Sequence, residues 1–153
     1  MAFRLSTGFR TAILNSGGTN SVKDLLNNGW LDIYTGAQPV SADYVETGTK
    51  LVRISSTSGA GTADGVKFGT AATGVLPLTT PTWQGQVLVT GVAGWFRLYG
   101  SSGTGGLAGT SGTAIRIDGA VGVAGADLNL THTSLDAGAV LTINSFNITE
   151  PAE

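Results

Sequence analysis

Residues Thr82 to Gly100 read TWQGQVLVTGVAGWFRLYG, and the reading of this stretch decides the fold class. It holds Trp83 and Trp95 and the densest run of strand-favouring residues in the chain. Val87, Leu88 and Val89 read as one strand, and Trp95 to Tyr99 as the next. Between them, Thr90-Gly91-Val92-Ala93-Gly94 has the length and the glycines of a hairpin loop. Side chains alternate across a strand, so Trp95, Arg97 and Tyr99 share one face and Phe96 and Leu98 the other. Neither face is plainly polar. Such a strand is covered on both sides or offers one face to another molecule.

The same grammar extends in both directions. Upstream, Trp30 to Tyr34, Lys50 to Ser55, Val66 to Phe68 and Val75 to Leu78 read as strands, with Pro77 at an edge or a strand end. Downstream, Ala114 to Asp118 and Asp127 to Thr131 alternate, the latter with Leu128 and Leu130 inward. Val140 to Thr149 changes apolar phase, from Leu141 and Ile143 to Phe146 and Ile148. This marks either a bulge at Asn144-Ser145 or a strand that turns to a new neighbour. The repeated GVAG, at Gly91 and again at Gly122, reads as similar turn chemistry. Only the first residues depart from this pattern. Ser6 caps a short helix to about Asn15 that Gly17-Gly18 ends, and Ser21 with Asp24 begins a second that Asn28-Gly29 stops. Short strands with turn signals between them predict a mainly β chain, an antiparallel β-sandwich or jelly roll. The expectation is one domain over residues 1–153, with residues 1–29 a helical segment packed on it.

Composition narrows the function. The net charge is -2, so the chain has no long-range attraction for nucleic acid or for an anionic membrane. It has no cysteine, which removes disulfides and thiolate metal sites. Charged residues are 12%, against a usual level of about 25%, and glycine is 24 of 153. With 41% apolar residues the chain should fold, and its weakly charged surface suits packing against neighbours. The loops Ser56 to Gly65 and Ser101 to Gly112 read as flexible by composition. No apolar run approaches the roughly 18 residues of a membrane span, and Ser6, Thr7, Gly8 and Arg10 interrupt any signal-peptide core. Synthesis in the cytoplasm without that route of secretion is expected.

No catalytic constellation stands out in the sequence. The single histidine, His132, falls at a strand end on the Leu128/Leu130 face, and its ordinary reading is a partly buried or loop residue. The carboxylates are scattered over caps and loops, and no pair is picked out for a glycosidase. Asp118, Asp127, Asn129 and Asp136 offer oxygens near strand ends, but in no regular calcium loop, so solvated turn residues are the simpler account. Gly103 to Gly109, GTGGLAG, lacks the lysine of a phosphate loop. No catalytic residue, cofactor or metal site is expected. The aromatics are what remain: Trp83, Trp95 and Tyr99 serve either a core or a contact with a partner or sugar. Arg97 between Trp95 and Tyr99 either lies over a ring, pairs with an acid at an interface, or covers apolar surface with its stem. Trp95, Arg97, Tyr99 and Trp83 are therefore the interface candidates.

Five stretches resemble small virion structural proteins of tailed bacteriophages: FRLSTGFRTAILN from Phe3, LNNGWLDIYTGAQPVSAD from Leu26, AGWFRLYG from Ala93, RIDGAVGVAGADLNL from Arg116 and LTINSFNIT from Leu141. The resemblance runs over most of the chain and carries no site residues. It implies a non-enzymatic component of the particle, a capsid decoration protein whose partners are its own copies and other virion proteins such as the major capsid protein. The competing expectation is a tail or adsorption component, with glycan binding through Trp83, Trp95 or Tyr99.

Overall fold

The computed structural model describes residues 3–15, 21–56, 65–79, 82–101 and 113–149. Residues 57–64 of the predicted loop Ser56 to Gly65, residues 102–112 of the predicted loop Ser101 to Gly112, the Gly17-Gly18 stop and the C-terminal tail lie outside the described residues. The chain is mainly β. Its elements in order are β1 (Arg4–Leu5), α1 (Thr7–Leu14), α2 (Val22–Leu26), β2 (Trp30–Thr35), β3 (Lys50–Ile54), β4 (Val75–Pro77), β5 (Trp83–Gln86), β6 (Gly91–Tyr99), β7 (Arg116–Gly122), β8 (Leu128–Asn129), β9 (Ser134–Leu135), β10 (Val140–Ile143) and β11 (Asn147–Thr149).

Both helices begin where their caps predict. Ser6 Oγ accepts the Phe9 N–H at 3.2 Å, and Ser21 Oγ accepts the Asp24 N–H at 3.1 Å. Ser6 also donates to the Ala114 carbonyl at 2.6 Å, so one side chain starts α1 and ties it to the approach to β7. Each helix is short and lodges one large side chain, Phe9 or Leu26, in the core, where tertiary packing holds it.

The main sheet runs β1-β7-β6-β2-β3 in antiparallel order, with β8 parallel to β7 and β9 paired to β6. Two ribbons, β10-β5 and β11-β4, form the facing layer. Leu31 and Ile33 of β2, Phe96 and Leu98 of β6 and Ile117 of β7 share the inner face with Val52 and Ile54 of β3. They meet Trp83, Phe68 and Phe146 from the other layer. Phe96 and Phe146 cross edge to face at 5.6 Å, and Phe146 lies 5.5 Å from Trp83. This is the layering of a sandwich. Gly119 belongs on this face because the Phe96 ring fills the space of a side chain, 2.5 Å from where a Cβ would stand.

The hairpin expected between Val87 and Tyr99 does not form. The strand before β6 is Trp83–Gln86; Val87 makes a single bridge to Val52, and Leu88 and Val89 are exposed. β5 pairs with β10 and runs along β3, where the Gln84 and Ser55 backbones exchange bonds of 2.7 and 2.8 Å. Gly91 to Gly94 is no turn but the start of β6, and neither glycine has a positive φ. Tyr34 pairs with Trp95 and Thr35 with Ala93, so Gly94 is the extra residue of a bulge. A Cβ there would stand 2.1 Å from the Gly36 carbonyl oxygen. The second GVAG ends β7 and then bends, so the two copies do different work.

Other boundaries moved as well. The Val66–Phe68 segment contributes only a bridge from Phe68 to Leu78. The strand read over Asp127 to Thr131 narrows to Leu128–Asn129, although Leu128 and Leu130 are buried as expected. The phase change after Ile143 is the boundary between β10 and β11, which pair with different strands. β4 ends at Pro77.

Candidate functional site

The outer face of the main sheet carries the chain's densest polar chemistry. Alternation puts Asp32 of β2, Arg53 of β3, Arg97 of β6 and Asp118 of β7 on that face, and register aligns them. Arg4 pairs with Asp118, Asp118 with Arg97, Arg97 with Asp32, and Asp32 with Arg53. Charge thus alternates across five strands, as favourable cross-strand neighbours do. The contacts are close. Arg97 Nε and Nη2 meet the two Asp118 oxygens at 2.6 and 2.7 Å, and Arg53 Nε and Nη2 meet the two Asp32 oxygens at 2.7 Å each. Both are two-pronged guanidinium–carboxylate pairs.

Aromatic rings flank this row. Tyr34 stacks on Trp95 at 4.6 Å and 14°. The Arg97 guanidinium lies 5.4 Å from the Trp95 ring, and that of Arg53 lies 4.7 Å from Trp30. The Tyr34 and Tyr99 hydroxyls are 3.2 Å apart, and Tyr99 donates to Glu46 at 2.8 Å.

A strap, residues 36–49, covers the middle of the row, while Arg4 and Arg53 at its ends reach solvent. It leaves β2 beside two bulges, at Gly94 of β6 and at Leu51 of β3, which flank the same point of β2. Its attachments are polar. Arg97 Nη1 donates to the Tyr44 carbonyl at 2.9 Å and to Glu46 at 3.1 Å, and Trp95 Nε1 donates to the Thr47 carbonyl at 3.2 Å. Arg4 donates to the Pro39 carbonyl. Asp43 receives the Thr7 N–H at 2.8 Å and the Thr7 hydroxyl at 2.7 Å, which fastens the strap to α1. Beneath it Arg97, Arg116 and Asp118 are wholly buried and Asp32 is 1% exposed.

Burial sets the protonation behaviour of this layer. Withdrawal from water opposes the charge on Arg97, but the bonds and charge of Asp118 outweigh it and hold the guanidinium firmly protonated. Burial also pushes the Tyr34 and Tyr99 phenols well above their ordinary value, so both act as neutral donors. For Glu46, burial pushes the carboxyl up. The bonds from its own backbone N–H, Tyr99 and Arg97 prevail and hold it below its usual range.

All four interface candidates therefore lie inside the fold: Trp95, Arg97 and Trp83 are 0% exposed and Tyr99 is 3%. Trp95, Arg97 and Tyr99 come together under the strap, whereas Trp83 sits in the core between the layers and donates to the Lys67 carbonyl at 3.0 Å. As unpaired contacts for a sugar or a neighbour they are not available, because strap and sheets already cover them. Arg97 does lie over a ring and pair with acids, but within its own chain.

The remaining candidates do not converge. His132 is exposed, since β8 ends at Asn129 and alternation does not carry to it; its Nδ1 lies 2.8 Å from the Ser134 carbonyl. Asp118 is held by Arg97, Asp127 receives the Ala120 N–H at 2.9 Å, and Asn129 closes a local turn with Ala126. Among the described residues no group of three or more metal-binding side chains forms.

Ten large apolar side chains are exposed among the described residues. Val40 is 77% exposed, and with Tyr44 and Val45 it forms the outer side of the strap. Leu88, Val89, Val92 and Val140 are exposed along the neighbouring segments 87–92 and 137–140, which a Thr90–Ala137 bond of 3.0 Å joins. Among the described charged residues Arg4, Arg10, Asp24 and Asp136 are exposed, four are buried, and the rest, Lys50 and Arg53 among them, are partly exposed. No family model, curated protein or solved structure matches the chain.

Proposed function

We propose that the chain is a non-enzymatic structural protein of a bacteriophage virion, a capsid decoration protein that acts by burying surface against its own copies and the major capsid protein. One observation supports this reading above the others: four charged side chains, Asp32, Arg97, Arg116 and Asp118, are buried, while Val40, Tyr44, Val45, Leu88, Val89, Val92 and Val140 stand exposed. Buried charge and grouped exposed apolar side chains both depart from an ordinary soluble surface. Exposed apolar residues on the strap and along residues 87–92 are the kind of surface that mark contact sites between proteins. Repeated by symmetry, an interface of standard size, about 1,600 Å² in total, stabilises a shell without any chemical step. The resemblance to virion proteins points the same way. The carboxylates of the covered row and Glu46 of the strap are each engaged by an arginine or tyrosine, which leaves no general acid or base facing solvent there.

The test is electron cryomicroscopy of purified particles with the chain's copies counted and placed. Many copies over the icosahedral shell, with Val40, Tyr44 or Val89 buried in contacts, are expected. A small ring at the tail would move the chain to the tail or adsorption apparatus, and its absence from particles would end the virion reading.

A further inference from the structure

We propose that the edge of β10 opposite β5, unpaired among the described residues, is a self-pairing site, where two copies of the chain join their sheets across a two-fold axis through Leu141. The proposal deepens the homo-oligomeric part of the reading above by naming the surface and its occupant.

The backbone groups of β10 point alternately toward β5 and away from it. β10 pairs with β5 in the register Val140 with Gln86, Leu141 with Gly85, Thr142 with Gln84 and Ile143 with Trp83. Just before it, the Val87 N–H donates to the Ala139 carbonyl and the Gly138 N–H to the Val87 carbonyl, each at 2.8 Å. Hydrogen-bonded positions alternate along an antiparallel ladder, so Ala139, Leu141 and Ile143 face β5. The N–H and C=O groups of Val140 and Thr142 face away from it. Gln84 fixes the same parity independently, because its backbone turns from β10 to Ser55, the residue after β3. Among the described residues no strand pairs with β10 on its other side.

A groove of about 410 Å³ lies beside the strand, lined by Ala139, Val140, Leu141 and Thr142 together with Val87 and residues of the 131–136 segment, so this part of β10 borders open space. Open strand edges are normally blunted by lysine, proline, a bulge or a covering segment. Val-Leu-Thr-Ile carries no charge and no proline, and pairs with β5 without a register shift.

A second copy is the occupant because the edge complements itself. With a two-fold axis at Leu141, Val140 of each copy stands opposite Thr142 of the other. Both residues direct their N–H and C=O outward, so each pair exchanges two backbone bonds. Leu141 meets its own counterpart as the non-bonded pair between them. Such a contact is isologous and closed, and it stops at a dimer. It also covers Val140, 55% exposed in the single chain.

Sedimentation velocity of the full chain over a concentration series reads this directly. A reversible monomer–dimer equilibrium is expected. Val140→Lys should weaken the dimer about tenfold, since symmetry places the change twice in one interface. Adding Thr142→Glu to it should restore the dimer, because in this register the introduced groups face each other across the axis. Leu141→Cys tests the axis itself. The chain has no cysteine, and a non-bonded antiparallel pair stands about 4.5 Å apart at Cα, within reach of a disulfide. Oxidation should give a covalent dimer. A chain that stays monomeric at every concentration overturns the proposal. So does an oligomer indifferent to Val140→Lys that yields no disulfide, or an edge that binds a different virion chain while never binding itself. Circular dichroism confirms that each variant is folded. Failure here is separable from failure of the virion reading: a dimer missing from particles removes that reading alone, and a monomer found throughout the shell removes this one alone.

Discussion

Replacing Arg97 with methionine is the sharpest test of the covered charge row. Arg97 is fully buried and makes four bonds: to the two Asp118 oxygens at 2.6 and 2.7 Å, to the Tyr44 carbonyl at 2.9 Å and to Glu46 at 3.1 Å. Methionine fills similar space but leaves the Asp118 carboxylate buried with its two-pronged partner gone. Breaking a buried pair from one side costs about 3–5 kcal/mol, most of it the uncompensated charge. A domain of ordinary stability holds about 5–15 kcal/mol, so the loss is a large share. At a urea dependence of about 2 kcal/mol per molar, the unfolding midpoint should fall by roughly 2 M. Arg97→Lys keeps the charge without the fork and should fall between parent and Arg97→Met. The double variant Arg97→Met with Asp118→Leu should cost clearly less than the sum of the single changes, since it removes the stranded charge as well. Equilibrium urea unfolding followed by tryptophan fluorescence and by circular dichroism supplies every value. A midpoint shift for Arg97→Met below about 0.5 M, or a double variant equal to the sum, would refute the reasoning.

Two further outcomes follow from the same geometry. Glu46 is held below its usual range, so it contributes stability above its unfolded value of about 4.3, and that contribution is lost as pH falls through the folded value. Burial pushes Asp118 upward, which acts in the opposite sense, so the difference between parent and Glu46→Gln isolates the strap. Melting temperature against pH should fall less steeply below about pH 4.3 in Glu46→Gln than in the parent. Gly85→Ala should destabilise by about 3 kcal/mol, because its Cβ would stand 2.0 Å from the Arg53 carbonyl oxygen and force β5 off β3. Gly125→Ala, with φ +69° and open space around it, should cost only about 1 kcal/mol, and thermal melts of the two variants check the contrast.

The capped helices, β2, β3 and the β-rich class were legible because local rules governed them. Ser6 and Ser21 act within one turn, and Trp30 to Tyr34 has strand propensity along its whole length. The first half of the supposed hairpin was not legible for a physical reason. Gly91 and Gly94 suit a turn, but glycine also stands where backbones pass too closely for a side chain, and the Gly36 carbonyl and Leu51 decide the matter from far away in sequence. Leu88 and Val89 have the composition of a buried strand, yet β5 leaves its ladder at Val87 and they face solvent. The covered row did leave a trace. Phe3-Arg4-Leu5, Leu31-Asp32-Ile33, Val52-Arg53-Ile54 and Phe96-Arg97-Leu98 each set one charge between two apolar residues, and Ile117-Asp118-Gly119 nearly repeats the pattern. A strand with one buried face and one charge on the other reads this way. What the pattern lacks is register, and only register turns five isolated charges into one alternating row.

Register is also the best physical account of why the row is there. A buried ion pair adds little net stability over apolar residues of the same size, so stability alone does not explain two-pronged pairs under a strap. Sliding one strand by a single residue would move its charge onto the inner face, against Phe96, Ile33 and Ile117. It would also strand the partner charges on both neighbours. Five aligned charges make each slip cost an unpaired buried ion, whereas the native alignment satisfies the arginine forks of Arg53 and Arg97. The strap then depends on the row being correct, because Arg97 reaches Glu46 and Tyr44 only when it stands between Asp32 and Asp118. The same arrangement that fixes the fold places Val40, Tyr44 and Val45 on the outside, so the surface offered to a neighbour is a consequence of charges that the neighbour never touches.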